Sequence, residues 1–523
     1  MSTVLVFFYK SSFIAYTPLC SQVYTMKRLI EIAKIVTKKK VVKLEVLDEY
    51  VLQRQSKINE FFEGVTGNKF KNDRDAAFFL YGSTPQDPKY RKLKSRFRQR
   101  LLNTIFLIEP NNPISSNYDK TYYNCYKEWA QIKILLSNNA LNTAASLTKH
   151  LFTIAQKYEL LDIALNCIRD LREHATRQNN EKDFDKYEKL EGEYEKMVAA
   201  ESSAKNLYQK ARMIAQKNIP DTKKNSHELI DIAEKLVHLS EKHDIPSIFY
   251  YMFSTWLIRY ELEGDYEAIL EVCIQAEEYI LNNGDFFPSK TIYLFYIKKT
   301  AAFLHLQDYT QGKKQVEAYI QKIPTKRTEW FDFMEFYLLL SIHSRNYLQA
   351  FAIFNNITSN PTLKKLDSQA KEKWKLFNAW LYYIIQLKSF DRILIKQVKS
   401  STFDIETYLH KKTDYPLALR HIDVLRKVLQ AHFFIFHKKH TEANETILTL
   451  NYYADHKLDK ILYYRCIQFI KLLNILKKAE YQMDEIRNAD KYYSRLREHP
   501  FNYRSNLAGL EIIPYEMLWE MLS

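Results

Sequence analysis

The side chains that could do chemistry in this 523-residue chain are few and far apart. The stretch HFFIFHKKH puts His437 and His440 at i, i+3 on one helical face, with His432 off it and Glu442 the nearest carboxylate. Zinc would need a further ligand there, and a lysine-rich helix end accounts for the group without metal. Gly64 and Gly67 lack the Lys-Ser/Thr that completes a phosphate loop, and no Gly-x-Gly-x-x-Gly occurs. A Gly-x-Ser-x-Gly elbow, a His-Glu-x-x-His pair and a Cys-His cluster of ligand spacing are all missing from the sequence. Cys20, Cys125, Cys167, Cys273 and Cys466 are odd in number and never in a Cys-x-x-Cys pair, which is cytoplasmic usage rather than a disulfide framework. These absences predict a protein that is not an enzyme and takes no metal, cofactor or small-molecule substrate.

One cluster does offer a surface. KYRKLKSRFRQR carries Lys89, Arg91, Lys92, Lys94, Arg96, Arg98 and Arg100, with no acid between Asp87 and Glu109. Tyr90, Leu93, Phe97, Leu101 and Ile105 form an apolar stripe at helical spacing, Asp87 suits the N-cap and Pro88 the first helical position. The basic residues then read in three ways: as a solvated face of a core-packed helix, as a surface that neutralises phosphates through counterion release, or as a contact for an acidic protein. The segment 72–108, NDRDAAFFLYGSTPQDPKYRKLKSRFRQRLLNTIFLI, resembles the helix-turn-helix of the winged-helix domain in bacterial activators that carry helical repeats behind it. That resemblance implies nucleic-acid binding through the helix 88–108. The following FLIEPNNPISSNYDKTYY lacks the glycine-containing hairpin of a wing.

Glycine is scarce in the chain that must position these residues: 8 are present, where average usage gives about 37. Sheets, tight hairpins and phosphate loops draw on glycine at positive φ, so few of them are expected. The net charge of +15 is concentrated, with +10 between Met26 and Ile108 and +4 after it. Residues 1–25 are apolar, lack a basic start and are broken by Lys10 and Pro18, unlike a secretory signal. They read as a poorly ordered or mis-called extension, with the fold starting at Met26. No run reaches the 18 or so apolar residues of a membrane span, so no membrane contact is expected.

From about Tyr118 onward, apolar residues recur with a 3.6 period in blocks separated by short polar turns, and Pro220, Pro246, Pro288, Pro324, Pro361, Pro416 and Pro500 fall at block ends. A turn followed by a helix recurs at EGDYEAIL, LQDYTQGK, SRNYLQAF and LKSFDRIL, its aromatic residue being Tyr266, Tyr309, Tyr347 and Phe390 at offsets of 43, 38 and 43. The third copy adds Ala350 and Phe354, and a further turn occurs at KAEYQMDE around Tyr481. This pattern resembles tetratricopeptide-type repeats, although Ile269 and Ile393 stand where a small residue is expected and the period exceeds the usual 34. The resemblance implies stacked helical pairs whose aromatic residues pack the core, and adaptor or scaffold work on a concave face.

The expected architecture is all-α: a basic helical domain at 26–110, then a tetratricopeptide-like, right-handed α-solenoid at 118–523, divided near 220. The final residues are expected to end in an amphipathic helix that caps the array. The expected function is a cytoplasmic scaffold binding a protein or peptide. The alternative is a nucleic-acid-binding regulator that uses the basic helix while the repeats sense a partner. The abundance of Lys, Tyr, Asn and Ile points to an AT-rich bacterial genome.

Overall fold

The computed structural model describes residues 26–38, 56–67, 69–106, 117–216, 222–387, 403–411, 415, 419–503 and 509–522. These residues form twenty-two α-helices and no strand. The chain divides into two compact units, Met1–Ser115 with Tyr126–Gln131, and Ser116–Cys125 with Ile132–Ser523.

In the first unit, α1 (Met26–Lys38), α2 (Lys57–Thr66), α3 (Asp73–Tyr81) and α4 (Pro88–Phe106) enclose one core. Side chains set the helix starts. Ser56 caps α2 by accepting from the Asn59 amide at 3.3 Å, and Asn72 caps α3 by accepting from the Asp75 amide at 3.0 Å. Asp87 Oδ1 accepts from the Lys89 amide at 2.7 Å as α4 begins at Pro88. Gly82, at φ +60°, ends α3 in the left-handed region, where a side chain would be strained. Tyr90, Leu93, Phe97 and Leu101 are buried as their spacing predicts, and Phe97 packs against Phe61 of α2 with ring centroids 4.6 Å apart.

The second unit begins with α5 (Asn117–Ser137), apart from its residues Tyr126–Gln131, then α6 (Leu141–Lys157), α7 (Leu161–Arg177) and α8 (Glu181–Gln216). Next come α9 (Thr222–Lys242), α10 (Pro246–Glu263), α11 (Tyr266–Asn282), α12 (Thr291–His305), α13 (Tyr309–Tyr319) and α14 (Thr328–His343). It continues with α15 (Tyr347–Ser359), α16 (Ser368–Leu387), α17 (Ile405–His410), α18 (Arg420–Phe436) and α19 (His440–His456). The last three helices are α20 (Tyr464–Lys478), α21 (Ala489–Glu498) and α22 (Tyr515–Glu520). From α6 onward helices pack on their neighbours in chain order, and alternate helices also touch, as α8 with α10, α12 with α14 and α16 with α18. The 36-residue α8 packs on α7 before it and on α9 and α10 after it, so residues on both sides of 220 belong to one unit.

Eight helices of this unit, α5, α6, α7, α10, α12, α14, α18 and α20, end in the same turn. The residues Asn139, Glu159, Asn179, Gly264, Gln307, Arg345, Lys438 and Glu480 each take positive φ. The next amide then donates to the carbonyl five residues back, at 2.8 to 3.1 Å, as in Asp308 to Phe303 and Asn346 to Ser341. This is the Schellman closure, which satisfies the last carbonyls of a helix. It corrects the inference from glycine scarcity: seven of the eight left-handed positions carry a side chain, at a cost on the order of 1 kcal/mol each.

Five of the helices that follow these turns place a small buried residue three positions after their first: Ala144, Ala164, Gly312, Ala350 and Ala443. A Cβ on Gly312 would lie 3.0 Å from Phe303 Cβ and 3.1 Å from a Leu340 methyl, so helices approach closely there. Tyr347 is buried, whereas Tyr266 and Tyr309 are half-buried; Phe390 and Ile393 lie outside the described residues.

Candidate interaction surfaces

The seven basic residues of α4 do not share one environment. Lys94 Nζ pairs with Asp73 Oδ1 at 2.7 Å, and the Tyr90 hydroxyl donates to the same oxygen at 2.7 Å, so this lysine ties α4 to α3. Arg98 and Arg100 are half-buried, and Lys89, Arg91, Lys92 and Arg96 are exposed. At 100° per residue those four fall on the arc opposite the buried stripe, together with exposed Ser95 and Gln99. The nearby acids are committed elsewhere: Asp73 to Lys94, Asp75 to the Lys71 amide and Asp87 to the start of α4. The arc therefore presents cations and amide or hydroxyl groups without a carboxylate of α4 among them, an arrangement suited to phosphate oxygens or an acidic surface.

The second surface was not legible in the sequence. The expected final helix is present as the six-residue α22, and residues 499–503 and 509–514 before it lie against several earlier helices. The Tyr266 hydroxyl donates to Asn502 at 2.7 Å. The Tyr503 amide donates to His305 Nε2 at 2.9 Å, and the Tyr503 hydroxyl donates to Glu335 Oε1 at 2.6 Å. His343 donates from Nε2 to the Glu511 carbonyl at 3.1 Å, and His432 from Nε2 to the Leu518 carbonyl at 2.8 Å.

Three histidines, from α12, α14 and α18, thus read the main chain of the C-terminal segment, and their partners fix their tautomers. A carbonyl can only accept, so His343 and His432 carry hydrogen on Nε2, and His432 Nδ1 accepts from the Tyr383 hydroxyl. His305 is the reverse: Nδ1 donates to the Ala301 carbonyl at 2.6 Å, leaving Nε2 to accept. Its ring lies between Tyr266 and Phe501, with centroids 4.0 and 5.2 Å away. Burial holds both His343 and His432 down to about 4, so they stay neutral at pH 7.

Arg465 of α20 closes the same surface. Its Nε and Nη2 grip Glu511 at 2.6 and 3.0 Å, Nη2 also reaches Glu516 at 2.7 Å, and Nη1 donates to the Leu496 carbonyl at 2.6 Å and to the His499 carbonyl. All five guanidinium donors are used. Burial pushes the Glu511 carboxyl up, and Arg465 opposes that shift. Nearby, Lys373 pairs with Glu335, and burial with the Glu335 charge raises Asp332 to about 6 against the pull of Lys373.

The histidines of HFFIFHKKH are dispersed. His432 is buried on the C-terminal segment, His437 follows the end of α18, and His440 opens α19 with its ring stacked on Tyr481 at 4.5 Å. Three carboxylates, Glu159, Glu201 and Asp244, influence one another in the second unit. Burial, with Asp244 and Glu201 adding repulsion, raises Glu159 to about 7.

The chain matches no protein-family model, no curated protein and no solved structure. No helix among the described residues is long and apolar enough to cross a membrane.

Proposed function

We propose that this chain is a non-catalytic interaction scaffold, a tetratricopeptide-like right-handed α-solenoid that holds an extended segment of a protein partner against its helices. The observation that carries this reading is the C-terminal segment. Side chains of α12, α14, α18 and α20 bind a stretch of extended and short-helical chain through its amides, carbonyls, aromatic rings and carboxylates. A surface able to do this for its own chain has the chemistry to do it for another. The repeated Schellman turns and small buried residues support a stacked array, in which each helical pair buries its apolar face on the next.

A second reading rests on the exposed arc of α4. Lys89, Arg91, Lys92 and Arg96, with Arg98 and Arg100 at its edge, suit phosphate neutralisation in a nucleic-acid-binding regulator.

One experiment separates the two: affinity purification of the chain from Met26 onward out of its native cells at low and moderate salt, with mass spectrometry and a nucleic-acid stain of the same eluate. The scaffold reading expects protein partners that survive moderate salt without nucleic acid. Nucleic acid that elutes as salt rises would put the regulator reading first.

A further inference from the structure

In a chain of net charge +15, α11 holds no Lys, Arg or His. Its acids serve two faces. Glu277 meets Lys299 and the Tyr319 hydroxyl at 3.4 and 2.7 Å. Glu267, Glu271 and Glu278 are exposed, and at 100° per residue they fall within about 40° of one another. On α9, the exposed Glu234 and Glu241 flank Val237 within about 60°, while Lys235, His238 and Lys242 lie further round, about 100–160° away. Neighbouring cations are engaged with other acids: Lys235 with Asp231 at 2.7 Å, Arg259 with Glu263 at 3.3 Å and Lys210 with Glu228 at 3.0 Å. No ion pair among the described residues engages Glu234, Glu241, Glu267, Glu271 or Glu278.

Between these two acidic edges runs an apolar groove. α9 and α11 both pack on α10, whose Met252, Trp256 and Tyr260 form a floor at i, i+4, i+8. Val237 and Val272 wall a cavity of about 250 Å³ above it, and Glu271 lines its rim. Trp256 and Tyr260 are half-buried and stack at 5.5 Å, with the Arg259 guanidinium 4.9 Å from both rings, so the floor already seats a cation on aromatic faces. The floor spans about two helical turns, and Glu234 with Glu241, like Glu271 with Glu278, is spaced by about 10 Å along its helix. A helix laid along the groove repeats its own side chains at that interval, so basic residues on both sides of its apolar seam would meet both edges.

We propose that the α9–α11 groove is a docking site for a basic amphipathic helix of a partner protein, with apolar side chains on Trp256 and Tyr260 and Lys or Arg on Glu234, Glu241, Glu271 and Glu278. This rests on the scaffold reading and names the chemistry of its partner. An acidic segment would meet the same floor but be repelled by both edges, and an uncharged one would leave their carboxylates unanswered.

The test uses the full chain and a fluorescein-labelled model peptide of about fourteen residues, built of Leu and Lys with Leu at helical spacing, beside a second peptide of the same composition with that spacing scrambled. Fluorescence anisotropy is expected to show the first peptide bound, and the scrambled one weaker by about tenfold or more. Glu271→Lys with Glu278→Lys, both at exposed positions, is expected to weaken the first peptide about tenfold or more. Glu234→Lys with Glu241→Lys reverses the other edge and should act likewise, so a folding failure of one variant leaves the other to decide. No binding, equal binding of the two peptides, or binding indifferent to charge reversal overturns the proposal.

A free chain that is dimeric until the reversal is made would give the groove to a second copy and overturn it as well. Proteins captured from native cells in equal amounts by the unaltered chain and the reversed variant would sink this inference and leave the scaffold reading standing. Absence of any captured protein would remove both.

Discussion

The exposed arc of α4 and the face of α12 to α20 are both rich in charge and use it in opposite ways. On α4 the cations of the arc point outward, and the neighbouring acids serve caps and one lysine. On the other face the buried Glu335 and Glu511 are paired with the half-buried Lys373 and Arg465, and three histidines are committed to main-chain groups. A charge in water waits for a partner, whereas a buried one already has it. The first kind is announced by a local run of sequence, and the second joins residues as far apart as Glu335 and Tyr503, 168 positions away.

Removing a member of the buried set should have the largest effect. Arg465→Ala leaves Glu511 buried and unpaired, and is expected to lower stability by about 3–5 kcal/mol in chemical denaturation. Charge reversal on the arc, Arg91→Glu with Arg96→Glu, is expected to shift it by less than about 0.5 kcal/mol. Comparable losses from both would erase the contrast.

Acid should act on the same face. His343 and His432 sit near 4 in the folded chain and near 6.5 when unfolded, so the unfolded chain takes up protons first as pH falls below 6.5. The stability they contribute is complete above pH 6.5 and is lost progressively toward pH 4, by about 2 kcal/mol each at pH 5. Asp332, raised to about 6, works the other way over part of that range. Thermal unfolding of the unaltered chain and of His432→Gln at pH 7 and pH 5 checks this, with a smaller acid loss expected in the variant. An equal loss in both would remove His432 from the account.

The smallest effect sharpens the picture of the turns. Gln307→Gly relieves a side chain held at φ +57° and is expected to stabilise the second unit by about 1 kcal/mol. A destabilised variant would mean that the Gln307 side chain contributes more than its backbone strain costs.

Much of the fold could be read locally. Asp87 and Pro88 mark the start of α4, and its apolar stripe is buried. The recurring turn was only half visible. Tyr266, Tyr309 and Tyr347 mark it with an aromatic residue, while Ala144, Ala164 and Ala443 carry the same small-residue position beside Leu141, Leu161 and His440. Glycine, the usual mark of a Schellman turn, appears at Gly264 and is replaced elsewhere by Asn, Glu, Gln, Arg or Lys, whose strain no composition reveals. The C-terminal site was beyond such a reading, since His305, His343 and Arg465 acquire meaning only when the segment carrying Tyr503 and Glu511 is laid across them.

The most direct test compares what the unaltered chain and the variant Lys89→Glu, Arg91→Glu, Lys92→Glu, Arg96→Glu capture from native cells at moderate salt. If the helical array is the binding surface, the same proteins should be recovered by both in equal amounts, and any nucleic acid should vanish from the variant alone. Loss of the captured proteins along with the charges would contradict the account and move the function to α4.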